Sequence, residues 1–159
     1  MYILILITLA IPFIAFIILS GCAVTGARDG GGAAGFPGGL PIERVSVNDD
    51  GLQSNGDSYM TSVSTDGRYV AFYSPATNLV SGDTNGVFDI FVYDRTNGTI
   101  ERVSASGTGE GGDGASYNPA LSADGRYVAF GSDSTNLVSA DANGSCDIFA
   151  APGGSDGYH

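Results

Sequence analysis

Positive charge is scarce in this chain of 159 residues: 6 basic side chains stand against 17 acidic ones, for a formal net charge of −11. So acidic a surface repels phosphate backbones, and no basic stripe interrupts it, which excludes nucleic acid as a partner. Histidine is nearly missing. The single one is His159, the last residue, whereas a hydrolytic triad needs its base held rigidly beside the nucleophile. Two cysteines, Cys22 and Cys146, are too few for a disulfide framework, and there is no Cys-x-x-Cys pair, histidine cluster or Gly-rich phosphate loop. With those groups absent, we expect no catalytic residues, no enzymatic activity and no organic cofactor. Helical periodicity is lacking everywhere beyond the N-terminal apolar run.

What the chain has instead is repetition. Glu43-Arg44-Val45-Ser46 returns as Glu101-Arg102-Val103-Ser104, and Asp66-Gly67-Arg68-Tyr69-Val70-Ala71-Phe72 returns as Asp124-Gly125-Arg126-Tyr127-Val128-Ala129-Phe130. Thr77-Asn78-Leu79-Val80-Ser81 likewise returns as Thr135-Asn136-Leu137-Val138-Ser139. The offset is 58 in each case (101 − 43), and residues 43–93 match 101–151 at 28 of 51 positions without a gap. Loops and strands have therefore both kept their lengths, and such units become stable by stacking on like neighbours.

Tyr2 to Leu19 is an apolar run without charge, long enough for the core of an export signal and slightly short of the ~20 residues of a spanning helix. It ends in Leu19-Ser20-Gly21-Cys22, which resembles the bacterial lipobox. That resemblance implies a signal peptide over residues 1–21 and lipidation of Cys22 by diacylglycerol. The usual lysine or arginine before the run is missing, so an uncleaved membrane anchor stays open as the alternative. Either case places the rest of the chain outside the cytoplasm, on the periplasmic or cell-surface side of the envelope, tied to the membrane. Residues 22–41 are rich in Gly and Ala and read as a flexible tether.

Within one unit, short runs of β-formers alternate with turn chemistry. Outer strands are expected at Ile42 to Val47 and Thr99 to Ser104, and inner ones at Tyr59 to Ser64, Arg68 to Ser74 and Asp89 to Tyr93, with three more between Tyr117 and Ala150. Thr65-Asp66-Gly67 and Asp94-Arg95-Thr96-Asn97-Gly98 supply the tight turns. In Arg68 to Ser74 the residues Val70 and Phe72 share one face and Tyr69, Ala71 and Tyr73 the other, so both faces must be covered. Four antiparallel strands with two apolar faces describe a propeller blade.

Ser64-Thr65-Asp66-Gly67-Arg68-Tyr69-Val70-Ala71-Phe72 and Asn118-Pro119-Ala120-Leu121-Ser122-Ala123-Asp124-Gly125-Arg126-Tyr127-Val128-Ala129-Phe130 resemble the repeat of TolB-type propellers, the WD40-like or PD40 repeat. The second copy is the better match, since Pro119 is replaced by Thr61 in the first. The resemblance implies an all-β fold of about two four-stranded blades over residues 42–151, with a disordered tail over 152–159. Roughly 4 to 8 blades close a propeller, so we expect a truncated propeller or an assembly of several copies. After Ala150 the second copy departs from the first, and its missing fourth strand would leave an edge open for self-association. The implied role is binding or scaffolding of a protein or glycan partner at the envelope. A non-catalytic fragment of a propeller-containing hydrolase, or an inactive remnant, are the alternatives.

Candidate sites follow from the repeat. Asp83, Asn85 and Asp89 recur as Asp141, Asn143 and Asp147, a glycine-containing loop whose oxygens suit calcium; a turn in which these side chains bond nearby amides is the preferred reading. Tyr59 and Tyr117 are candidate binding residues, with packing between blades as the alternative. Asp66 and Asp124 are read as turn residues rather than catalytic carboxylates, with Arg68 and Arg126 beside them. Arg44 and Arg102 are read as partners in cross-strand ion pairs at strand starts, and Cys146 as a small buried thiol.

Overall fold

The computed structural model describes residues 42–139 and 141–154. The apolar run, Cys22, where lipidation is expected, and residues 22–41, expected to form a tether, lie outside the described residues. Two antiparallel sheets account for the fold, and no helix occurs among the described residues. The first sheet joins β1 (Tyr59–Val63), β2 (Tyr69–Ser74), β3 (Asp89–Asp94) and β4 (Thr99–Arg102) in chain order; the second joins β5 (Ser116–Leu121), β6 (Tyr127–Ser132) and β7 (Asp147–Pro152).

The turns form where the residues dictate them. Ser64 donates its hydroxyl to Asp66 at 2.5 Å, Asp66 accepts from the Arg68 amide at 3.0 Å, and Gly67 closes the hairpin at a φ of 72°. Ser122, Asp124, Arg126 and Gly125 repeat this arrangement at 2.6 Å, 3.1 Å and 74°. Asp66 and Asp124 are thus consumed by their turns, and these bonds hold both carboxyls below the usual range, the serine hydroxyl contributing most.

The alternation in β2 places Tyr69 and Ala71 against the second sheet and Phe72 on the opposite side. Between the sheets, Tyr69, Ala71, Ile90, Val92 and Val103 pack on Val128, Phe130 and Leu137. Behind the first sheet, Phe72, Leu79, Phe91, Tyr93 and Ile100 form a second cluster joined by Val45 and Val47. Phe72 and Phe91 are fully buried, and truncating such a side chain to alanine costs about 3–5 kcal/mol. The sheets are also stitched through polar atoms. Thr65 donates its amide to the Ala123 carbonyl at 2.9 Å, Ser116 donates to the Phe88 carbonyl at 2.7 Å, and Leu121 donates to Ser62 Oγ at 2.9 Å.

Three expectations need correction. Residues 42–47 are not a strand; only an isolated bridge joins Val47 to Gln53, because a strand needs a ladder partner and none of the described strands lies alongside. Pro152 belongs to β7, and Gly153 and Gly154 are buried, so residues 152–154 are part of the folded unit rather than of a tail. Arg68, expected beside Asp66 as a solvated or turn-bracing charge, reaches Asp66 through its amide and, to a lesser degree, through its charge, while its guanidinium is committed elsewhere. It forks onto Asp94 with Nε at 3.1 Å and Nη2 at 2.8 Å, since residues flanking paired strands end up side by side.

Candidate functional site

Four aromatic rings meet where β1 and β5 begin and β2 ends. Tyr59 stacks on Tyr73 with centroids 5.5 Å apart, Phe88 meets Tyr73 edge-on at 5.4 Å, and Tyr117 meets Tyr73 edge-on at 6.4 Å. Tyr59 and Tyr117, the two tyrosines singled out by the repeat, are thereby brought together through Tyr73. Tyr59 is 42 % exposed, while Tyr73, Phe88 and Tyr117 are half-buried. The cluster both packs the sheet ends and presents ring surface to solvent.

Carboxylates edge these rings. Tyr59 donates its hydroxyl to Asp57 Oδ2 at 3.2 Å, and Tyr117 donates to Asp133. The Asp133 bond pushes the Tyr117 hydroxyl up to about 12, and Asp57 raises Tyr59 in the same way. Both phenols therefore stay protonated and keep their donors. Flat apolar faces rimmed by acceptors suit the stacking of sugar rings or the seating of cationic groups.

Backbone strain sits next to both tyrosines. Met60 and Asn118, in corresponding positions, have φ values of 40° and 55°, within bulges where pairing slips between Tyr59 and Ser62 and between Tyr117 and Ala120. Asparagine tolerates this conformation, so Asn118 offered a signal; methionine does not, and Met60 offered none.

The acidic loops differ between copies. In the first, Arg102 reaches inward, with Nη1 3.2 Å from Asp83 Oδ1 and 3.7 Å from Asp89 Oδ2. A protein cation thus occupies the position between these carboxylates. Asn85 donates to Asp89 at 2.8 Å and to the Gly112 carbonyl at 3.0 Å, and Ser104 donates to Asp89 at 2.5 Å. Desolvation raises Asp83 and Asp89 above the usual carboxylate range; the neighbouring charge adds to the shift at Asp83, while Arg102 and the hydrogen bonds oppose it. Asp83 Oδ1 accepts no hydrogen bond and is held by charge alone. The ion pair expected for Arg102 at the strand start is hence an inward one, to a loop and to β3.

In the second copy, Asn143 repeats the bond to Asp147 at 3.0 Å, and the Ser145 amide donates to Asn143 Oδ1 at 2.7 Å. Asp141, Asn143 and Asp147 here line an open cavity of about 600 Å³ together with Val138, Ile148 and Phe149. Among the described residues no cluster of three or more His, Cys, Asp or Glu is placed to hold a metal ion. Cys146 is exposed, correcting the expectation of a buried thiol. It stands just before β7, where no further sheet of the described residues covers it.

No protein-family model matches the chain, and no curated protein matches it.

Proposed function

We propose that the chain is an extracytoplasmic, lipid-anchored module of TolB-like β-propeller blades that binds a protein or glycan partner at the cell envelope. The blade reading is supported above all by one contrast. Tyr69 and Ile90 on the first sheet are 5 % and 0 % exposed beneath the second sheet, whereas their counterparts on the second sheet, Tyr127 and Ile148, are 55 % and 79 % exposed. These sequence-equivalent positions differ in having or lacking a described neighbouring sheet, which is what stacked repeats produce at the end of the described array. Anchoring rests on Cys22 within Leu19-Ser20-Gly21-Cys22.

Recognition is assigned to the aromatic cluster at the strand ends, where connecting loops of stacked blades gather. Tyr59 supplies the accessible face, Tyr73 and Phe88 its backing, and Tyr117 the link to the second sheet. The test is a titration of the detergent-solubilised full chain with cell-envelope glycans and purified envelope proteins, read by tyrosine emission. A saturable change that weakens about tenfold in Tyr59→Ala, a loss of about 1.4 kcal/mol, is expected. No saturable change with any of these partners would remove the binding role.

A further inference from the structure

The two copies are related so closely that the first predicts what the second lacks. β4 lies along β3 in a register that pairs Phe91 with Arg102, Val92 with Glu101 and Tyr93 with Ile100. Subtracting or adding the 58-residue offset turns these into Phe149 with Arg44, Ala150 with Glu43 and Ala151 with Ile42. The first member of each derived pair lies on β7, an edge strand among the described residues. The second lies in residues 42–44, which pair with no described strand, and Ile42 is 98 % exposed.

The charges repeat the same pattern. Arg102 sits between Asp83 and Asp89 in the first copy. In the second, Asp141 and Asp147 line an open cavity with no described arginine in it, while Arg44, the counterpart of Arg102, is exposed and makes no ion pair among the described residues. Asn85 bonds both Asp89 and the Gly112 carbonyl; Asn143 makes only the first of these bonds, and the counterpart of Gly112 is Ser54. Ser116 donates to the Phe88 carbonyl, and the corresponding pair is Ser58 with Cys146. Apolar surface completes the match, since Tyr127 and Ile148 lie open where Tyr69 and Ile90 are covered.

The geometry points to head-to-tail self-association: residues 42–45 of a second copy add to β7 as its fourth strand and carry Arg44 in between Asp141 and Asp147. This rests on the blade reading above and goes beyond it by naming the partner as the same chain. The contact uses different surfaces on the two molecules, so it propagates into a ring where the rotation closes or into a filament where it does not. One bond of the internal seam is lost. Ser62, which accepts from the Leu121 amide, has Ala120 as its counterpart, so the junction between molecules is weaker than the one within.

The test uses the full chain in detergent micelles. Sedimentation over about a hundredfold range of concentration should give a mass that climbs beyond a dimer. Arg44→Asp should weaken this association about tenfold or more while leaving the melting transition in place, because Arg44 makes no ion pair to lose among the described residues. In a Cys146→Ser background, molecules bearing Glu43→Cys mixed with molecules bearing Ala150→Cys should be joined by a short bis-maleimide, and neither should be joined to itself. A monomer at every concentration, cross-linking of either variant to itself, or association indifferent to Arg44→Asp overturns the proposal. Failure of self-association alongside intact two-sheet folding leaves the blade reading standing, whereas loss of the contacts between the sheets would strike the blade reading itself.

Discussion

Tyr69 lies so close against Gly154 that a methyl group on Gly154 would fall 2.5 Å from the ring's Cε1. Gly125 confines the opposite edge of the ring, and the guanidinium of Arg68 covers it at 4.7 Å. The ring has nowhere to retreat. Gly154→Ala should therefore destabilise the protein by about 1–3 kcal/mol through overpacking, read by urea denaturation. Tyr69→Ala makes room for the added methyl, so the double variant should lose less than the sum of the two single losses. Simple additivity would place the strain elsewhere.

Arg102 is the counter-charge for two carboxylates that burial already makes reluctant to ionise. Arg102→Met leaves Asp83 and Asp89 facing one another unpaired, at an expected cost of about 3–5 kcal/mol near neutral pH. The sign of the pH dependence follows from the raised folded pKa values of both groups. Their contribution is most favourable below the unfolded value of 3.8 and is lost as pH rises through the folded values. The deficit of the variant should therefore shrink on acidification. Because the arginine occupies the position between the first-copy carboxylates, calcium or chelator should leave the wild-type transition unchanged. A calcium-dependent midpoint would reveal a site in the second loop.

Local chemistry is legible in the residues and long-range pairing is not. The Ser-x-Asp-Gly turns, the two-faced strand from Tyr69 to Ser74 and the equivalence of the copies follow from composition and the 58-residue offset. Arg68 with Asp94, and Arg102 with Asp83 and Asp89, depend on which ends of separate strands meet, and nothing within a few residues of either arginine reveals that. Cys146 departs from expectation for a related reason: the repeat predicts equal environments, but its open side lacks the neighbouring sheet that surrounds the first copy. At the candidate site Tyr59 and Tyr117 are visible by recurrence. Tyr73 and Phe88 are not, because their second-copy counterparts are Gly131 and Cys146 and the aromatic character does not repeat.

Asp94 ties the β3–β4 turn to Arg68. It accepts from the Thr96 amide at 2.8 Å and from Asn97 Nδ2 at 2.8 Å while receiving both arms of the guanidinium. Burial pulls its pKa upward, but Arg68 and the turn amides outweigh burial and leave it below 3.8. A depressed folded pKa contributes stability that is present above the unfolded value and is lost as pH falls through the folded one. Asp94→Asn should thus cost about 2 kcal/mol near neutral pH, and the gap from wild type should close in acid. Equal gaps at both pH values would mean that the turn bonds, not the charge, matter.

Met60 stores strain that Asn118 relieves at the same point of the repeat. Both occupy left-handed backbone within a bulge, where a methionine costs on the order of 1 kcal/mol more than a residue suited to that conformation. Met60 is 63 % exposed, so replacing it forfeits little apolar burial. Met60→Asn should raise stability by about 1 kcal/mol, and Asn118→Met should lower it by a similar amount. The opposite signs distinguish backbone conformation from surface hydrophobicity, because a surface effect would not track the left-handed preference of asparagine in both bulges. The bulge also sets where Tyr59 begins its strand, so a stabilised Met60→Asn protein that kept its ligand affinity would show that the bend, rather than the strain within it, positions the aromatic cluster.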